Sequence, residues 1–103
     1  MGGSRLITPF QGILDAYIFE RDDLLPRSKV EYQTTIQQFL VFLQERGVYE
    51  LGVVGKGILK EYLAYIDNQG LSQATRRTKV MIVRSFFSWL KTAGFVAADA
   101  AQE

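Results

Sequence analysis

The stretch from residue 72 to residue 94 reads SQATRRTKVMIVRSFFSWLKTAG, and it decides the fold of this chain. Apolar residues recur in it at spacings of three and four, as they do on the buried face of an α-helix. They are Val80, Val83, Phe87 and Leu90, widened by Ile82, Phe86, Trp89 and Ala93. Ser72 is a typical N-cap, and Gly94 suits the position just past a helix C-terminus. The pattern predicts one long helix that ends at Ala93.

Similar patterns predict three helices upstream of this one. For the first helix, Thr8 is a good N-cap, Pro9 suits the first helical position, and Gln11 completes a capping box. The apolar stripe of this helix consists of Phe10, Ile13, Leu14, Tyr17 and Ile18. The segment 21–23, Arg-Asp-Asp, is predicted as its exit.

The second helix is predicted from about Pro26 to Arg46, with Gly47 just beyond its end. Its apolar stripe consists of Tyr32, Ile36, Phe39, Leu40 and Leu43, with Phe42 at the edge. Four glycines between positions 47 and 57 predict a loop. The side chains expected to hold that loop against the core are those of Leu51, Val53 and Val54.

The third helix is predicted from about Gly57 to Gln69, with Gly70 closing it. Its buried face consists of Ile58, Leu59, Tyr62, Leu63 and Ile66. No long alternation of apolar and polar residues favours a β-strand. Four helices with short connections predict an all-α fold, a compact four-helix bundle.

The composition excludes several classes of function. The chain has 103 residues with no His and no Cys, so the usual general base, a thiol nucleophile and thiolate zinc ligands are missing. The length fits one domain. No apolar run approaches the ~18–20 residues that span a bilayer, and no secretory pattern follows Met1. We therefore expect a cytoplasmic protein with no membrane contact, no cofactor, no metal and no small-molecule ligand.

Charge is distributed unevenly along the chain. The formal net charge is only +1, from 12 basic and 11 acidic residues. Residues 71–98 nevertheless hold five basic residues and no acidic one, whereas residues 1–70 hold seven basic and nine acidic residues. The five are Arg76, Arg77, Lys79, Arg84 and Lys91. The near-neutral total hides one basic helix, which indicates an anionic partner.

Two interpretations of the basic helix start remain open at this point. Arg76 and Lys79 continue the apolar face toward the N-terminus, where they either face an anionic partner or pair with an acid from another helix. Ser72, Gln73 and Thr75 share this end, and a helix N-terminus with hydroxyls beside it suits a phosphate oxygen. The second helix begins in a related way, with Arg27, Ser28, Lys29 and Gln33. Such side chains bind phosphates and base edges, but they are also common on solvated faces.

Two patterns carry a resemblance to a known family. One is Ser28-x3-Tyr32-x3-Ile36-x2-Phe39-x2-Phe42-Leu43-x3-Gly47, and the other is Gly70-Leu71-Ser72-x2-Thr75 followed by Lys79-Val80-x2-Val83-Arg84-Ser85-Phe86-Phe87-x-Trp89-Leu90-x3-Gly94. They resemble the second and last helices of the core-binding domain of tyrosine recombinases, the group that includes phage integrases and Xer-type recombinases. Residues 51–63 are similar to the third helix of that domain and its preceding loop, so the resemblance runs from about Phe10 to Ala98.

The resemblance implies a four-helical SAM-like domain that forms half of a clamp around the duplex of a recombination core site. Helices 2 and 4 would lie against the DNA. Residues carried over to that interface are Ser28, Lys29, Ser72, Thr75, Arg76, Arg77 and Lys79. The charge and polarity patterns add Arg27, Gln33, Gln73 and Arg84 to the predicted DNA-binding set.

Three positions depart from the family pattern. Arg76 stands where the family often has an apolar residue, and Leu25 stands where it often has a Ser before the second helix. Asp99 and Ala100 replace an Asn-Pro pair that usually leads into the linker.

The resemblance also implies a division of the chain and of its chemistry. Residues 1–7 would be a tail, 8–96 the core-binding domain, and 97–103 a tail or the start of a linker to a catalytic domain. The family's Tyr nucleophile and its Arg, His and Lys partners belong to that separate domain, so this chain is predicted to be no enzyme by itself. Its parent would be a DNA strand-transfer recombinase of the prokaryotic cytoplasm or nucleoid, in contact with other recombinase protomers on DNA.

DNA binding has two alternatives. The basic end of the last helix also suits a helical protein-interaction module that docks an acidic partner. An enzyme in its own right is disfavoured because His and Cys are absent and no pair of carboxylates is spaced for catalysis; Asp22 and Asp23 fit a helix exit better.

Overall fold

Four α-helices account for most of the structure. The computed structural model describes residues 10–96, and within that range it contains no β-strand. The helices are α1 (Gln11–Glu20), α2 (Pro26–Glu45), α3 (Lys56–Asp67) and α4 (Gln73–Thr92), with a short 3₁₀ turn at Leu51–Val53. The predicted all-α class is confirmed. None of the helices in residues 10–96 is both long enough and apolar enough to cross a membrane.

The first structural unit, which extends to Tyr49, contains α1 packed on α2. Leu14 and Tyr17 are the buried residues of α1. The buried apolar residues of α2 are Ile36, Phe39, Leu40, Phe42 and Leu43. They include every member of the predicted stripe except Tyr32, which is half-buried. Burial of each such side chain contributes roughly 1.5–3 kcal/mol to folding.

The start of α1 differs from the prediction. The helix begins at Gln11 with Phe10 at the N-cap, and no side chain caps its first turn. Phe10 is itself 5% exposed, and its carbonyl accepts hydrogen bonds from the N–H groups of Ile13 and Leu14. A buried aromatic residue therefore marks this helix start, while Thr8 and Pro9 lie outside the described residues.

The second unit, from Glu50 onward, contains the 3₁₀ turn, α3 and α4. Tyr62 and Ile66 are the buried residues of α3. The buried residues of α4 are Ile82, Val83, Phe86, Phe87 and Leu90. Leu51 and Val54 are also buried, as the loop prediction requires, whereas the Val53 side chain lies outside the description.

Aromatic rings extend the packing at the C-terminal end of α4. Trp89 is stacked on Phe86 with ring centroids 6.4 Å apart, and its ring centroid lies 5.6 Å from that of Phe95. The predicted apolar stripe was too long at this end because Ala93 is exposed. Ala93 serves instead as the C-cap, where the helix has already ended.

The predicted ends of α2 and α4 are confirmed, and both use the same backbone device. Gly47 and Gly94 have φ angles of 75° and 87°, in the left-handed region that favours glycine. Beyond them, the N–H of Val48 donates to the carbonyl of Leu43 at 3.0 Å, and the N–H of Phe95 donates to that of Leu90 at 2.9 Å. These bonds form the Schellman motif, which satisfies carbonyls left open at a helix end.

The start of α4 provides a test of local stability. Ser72→Ala is expected to lower the free energy of unfolding by about 1 kcal/mol, because the Ser72 hydroxyl caps the N–H of Thr75. Ser88→Ala is the matched control, since Ser88 is exposed within the same helix and alanine favours helix by a few tenths of a kcal/mol. Urea denaturation measures both changes. Equal stability of the two variants would contradict the capping role.

Candidate nucleic-acid interface

Ser72 and Thr75 shape the N-terminus of α4. The Thr75 N–H donates to Ser72 Oγ at 3.1 Å, and the Ser72 hydroxyl donates to Thr75 Oγ1 at 2.9 Å. Both side chains are exposed, as is Gln73. Because the first-turn N–H groups have no partner within the helix, this end carries a partial positive charge. It can therefore accept an anion alongside the serine cap.

Arg76 pairs with an acid from the neighbouring helix. Its guanidinium donates to the carboxylate of Asp67, the last residue of α3, in a salt bridge within the second unit. The two side chains are 39% and 51% exposed, so water screens the pair and it contributes at most about 1 kcal/mol. The sequence left Arg76 open to an ion pair or to an anionic partner, and in the structure Arg76 forms the ion pair.

A row of exposed cations runs along α4. Arg77, Arg84 and Lys91 are seven residues apart, so they lie on nearly the same side of the helix and about 10 Å apart along its axis. Within residues 10–96, these three side chains make no ion pair. Lys79 lies on another side of the helix and is half-buried. No acid interrupts the row, because α4 contains none.

The start of α2, in the first unit, presents a weaker arrangement. Arg27 and Gln33 are exposed, whereas Ser28 and Lys29 are half-buried. Lys29 Nζ lies 3.6 Å from Asp22 Oδ1, so part of its charge is compensated locally. Leu25 occupies the N-cap and forms no side-chain cap, consistent with its departure from the family's serine.

Arg21 organises the loop that leads into α2, a role that the sequence did not reveal. Its Nε and Nη2 donate to the two carboxylate oxygens of Asp23, each at 2.9 Å. Its Nη1 donates to the Tyr17 hydroxyl at 2.8 Å, and the guanidinium lies 5.2 Å from the ring centroid of Tyr32. The spacings Tyr17-x3-Arg21 and Arg21-x-Asp23 were the available signals, but they are too common to identify a site.

The same contacts shift the acid–base behaviour of this loop. The hydrogen bond to Asp23 raises the pKa of the Arg21 guanidinium above its usual range. The hydrogen bonds from Arg21 lower the pKa of the Asp23 carboxyl. Both groups are therefore charged at neutral pH, and a bidentate ion pair holds the loop between α1 and α2.

The predicted site residues form two sets on two different units. Those of the second unit occupy the first two turns of α4 and their cap, with Arg84 farther along: Ser72, Gln73, Thr75, Arg76, Arg77 and Lys79. Those of the first unit occupy the start of α2: Arg27, Ser28, Lys29 and Gln33. Each set is continuous along its own helix.

Acidic clusters and tyrosine hydroxyls are the features of the described residues most relevant to metal binding and nucleophilic chemistry. Residues 10–96 contain no group of three or more His, Cys, Asp or Glu side chains placed to hold a metal ion. Tyr17 is buried, and its hydroxyl accepts a hydrogen bond from Arg21. Burial, aided by nearby Tyr65, raises the pKa of Tyr62 to about 12, which disfavours its phenolate at neutral pH.

Comparison with known protein families gives a match over most of the described residues. The model of a family described as phage integrase, N-terminal SAM-like domain, matches residues 14–94. No curated protein and no solved structure matches the chain. The match includes most of α1 and all of α2, α3 and α4, so it covers both sets of predicted site residues.

The Arg21–Asp23 contact predicts a specific pH dependence of stability. Asp23→Asn is expected to lower the urea midpoint at pH 7, because it removes one partner of the bidentate pair. The folded-state pKa of Asp23 is lowered, so the stabilisation is complete above the unfolded pKa of about 3.9. It is lost as pH falls through the folded-state pKa. The deficit of the variant should therefore shrink as pH falls from about 5 to about 2.

Glu31→Gln is the matched control for this prediction. Glu31 is exposed in the same unit and makes no hydrogen bond or ion pair with the described residues. Its substitution removes one carboxylate without disturbing the loop. A deficit of Asp23→Asn that stays constant from pH 7 to low pH would show that the ion pair does not act as described.

Proposed function

Since the chain belongs to the phage integrase N-terminal SAM-like domain family, we propose that it is the core-binding domain of a site-specific tyrosine recombinase. In this role α2 and α4 bind the duplex of the recombination core site. The observation that carries the proposal is the positive charge of α4, whose 20 residues include five cations and no acid. A polyanion is the partner that such a helix attracts most strongly.

Phosphate binding begins at the N-terminus of α4. First-turn N–H groups, the Thr75 hydroxyl and the Gln73 amide provide hydrogen-bond donors for phosphate oxygens. Arg77, one turn into the helix, adds an exposed cation beside them. Each phosphate that a cation neutralises releases counterions, which stabilises the complex and makes the affinity depend on salt.

The start of α2 makes a second, weaker contact in this proposal. Arg27 is exposed and free to reach phosphate, whereas Lys29 already lies near Asp22. Gln33, one turn later, offers an amide that can donate to or accept from a base edge. The second helix therefore adds positioning and base contacts rather than most of the affinity.

Strand-transfer chemistry belongs to another domain in this proposal. Family resemblance assigns the Tyr nucleophile and its Arg, His and Lys partners to a separate catalytic domain of the parent recombinase. The present chain positions the duplex for that domain. Contacts with other recombinase protomers on DNA and a location in the prokaryotic cytoplasm form part of the same proposal.

Charge reversal on α4 tests the proposal directly. The double variant Arg77→Glu/Lys79→Glu is expected to bind duplex roughly 10- to 100-fold more weakly at low salt. The slope of log K against log salt should become shallower by about 0.9 for each phosphate that the variant no longer neutralises. Fluorescence anisotropy of a labelled duplex measures both quantities, and circular dichroism checks that the helices are retained.

The matched control is Lys56→Glu/Lys60→Glu, which makes the same change of net charge on exposed positions of α3. It should retain most of the affinity. Lys29→Glu should cause a loss smaller than that of the α4 variant, because Asp22 already compensates part of its charge. Equal affinity of the α4 variant and the original chain at low salt would refute the proposed interface.

Asp67 provides a second test, in which the variant should bind duplex more tightly and not more weakly. Asp67→Asn removes the carboxylate that engages Arg76 and would repel a nearby phosphate. Duplex binding is expected to strengthen by roughly two- to fivefold at low salt, since one screened surface pair is exchanged for an interaction with phosphate. Glu45→Gln, at an exposed position at the end of α2, serves as the control and should change the affinity less. Unchanged or weaker binding by Asp67→Asn would place Arg76 outside the interface.

A further inference from the structure

An apolar groove lies between α3 and α4 within the second unit. Its cavity volume is about 90 Å³, which admits a few side chains and lies below the roughly 300–1,000 Å³ of small-molecule pockets. The residues that line it are Leu59, Tyr62, Leu63, Val80, Val83 and Arg84. Leu59, Leu63 and Val80 remain only half-buried although they are apolar. The packing of α3 on α4 therefore leaves a strip of apolar surface in contact with water.

Cations flank this groove on the α3 side. Lys56 precedes Leu59 by three residues and Leu63 by seven, and Lys60 precedes Leu63 by three. These spacings place both lysines on the side of α3 that carries Leu59 and Leu63, next to the groove. Both are exposed, and neither makes an ion pair with the described residues.

Cations flank the groove on the α4 side as well. Arg84 lines it directly, and Arg77 lies three residues before Val80 on the same side of the helix. Both are exposed. The two acids of α3 do not balance this charge. Asp67 pairs with Arg76, and Glu61 lies about 200° around the helix from Leu63.

We propose that this groove docks an acidic amphipathic helix of a partner protein. Apolar side chains of the partner at positions i, i+3 and i+7 would enter the groove, and Glu or Asp residues beside them would meet the four flanking cations. Duplex DNA does not fit this combination, since it can use the cations but presents no row of apolar side chains. The inference goes beyond the proposed DNA-binding function and does not depend on it.

Charge complementarity selects this occupant over other apolar ones. A basic or neutral amphipathic helix would fill the groove equally well but would gain nothing from, or be repelled by, Lys56, Lys60, Arg77 and Arg84. A second copy of this chain would have to present an acidic apolar helix. Its α4 is basic, and its α2 and α3 each have as many cations as acids. Its α1 is acidic, but the buried residues of α1 already pack within the first unit, where α1 contacts α2. An acidic helix from a different protein is the complementary surface.

A designed peptide pair tests the proposal on the full chain. The probe is a synthetic helical peptide with Leu at i, i+3 and i+7 and Glu at flanking positions. Its control is a peptide of the same composition with the leucines scattered around the helix. Anisotropy of the labelled peptides should show at least tenfold tighter binding of the amphipathic probe. Amide chemical shifts should change most at Leu59, Leu63, Val80 and Val83.

Surface variants separate groove binding from simple charge attraction. Lys56→Glu/Lys60→Glu, at exposed positions, should weaken probe binding at least tenfold while the fold is retained. Arg27→Glu/Lys29→Glu makes the same charge change on the first unit and should leave probe binding nearly unchanged. Leu63→Ser should also weaken binding, with circular dichroism to confirm that the variant folds.

Several results would overturn the proposal. Equal binding of the two peptides would mean attraction by charge alone. Shifts confined to residues outside the groove would place the peptide elsewhere. Concentration-dependent self-association with shifts at the groove would assign it to a second copy, and equal shifts caused by duplex would assign it to DNA. Because Lys56 and Lys60 lie outside the proposed DNA-binding set, failure here and failure of the DNA proposal are separate outcomes.

Discussion

The constraint on which the second unit depends is the burial of one stripe of α4. Ile82, Val83, Phe86, Phe87 and Leu90 must leave water together, and this requirement fixes the rotation of the helix about its axis. Once the rotation is fixed, the direction in which every other side chain of α4 points is fixed as well. The row of Arg77, Arg84 and Lys91 is therefore exposed because the apolar stripe is buried. The cationic surface of α4 and the flank of the α3–α4 groove are both consequences of the same packing.

Short-range interactions determine where the helices that pack together begin and end. The Ser72 cap defines where α4 begins, and the left-handed glycines at positions 47 and 94 define where α2 and α4 end. In the first unit, Arg21 bridges the end of α1 and the approach to α2 through Tyr17 and Asp23. The start of each helix proposed to bind DNA is thus held by a different device: a hydroxyl cap for α4 and a bidentate arginine for the loop before α2.

Much of the fold was predictable because its signals are local. The ends of α2, α3 and α4 agree with the prediction within one or two residues, since glycine, proline and serine act on the backbone within a single turn. The start of α1 at Gln11 was not predicted, because its N-cap is the buried Phe10, whose side chain has none of the oxygen atoms that mark a helix start in a sequence. The exposure of Ala93 was missed for a related reason. Periodicity shows which face is apolar but does not show where the packing partner ends.

The sequence by itself determined the all-α class, the approximate boundaries of α2, α3 and α4, the basic character of α4 and the family resemblance, since each depends on residue type and spacing along the chain. Only the tertiary structure decided what lies opposite each side chain. Helical spacing left Arg76 open to an ion pair or an anionic partner, and the approach of α3 brought Asp67 beside it. The Arg21 contacts with two tyrosines and the apolar groove between α3 and α4 arose in the same way. Such features depend on distances between helices, which one-dimensional periodicity does not encode.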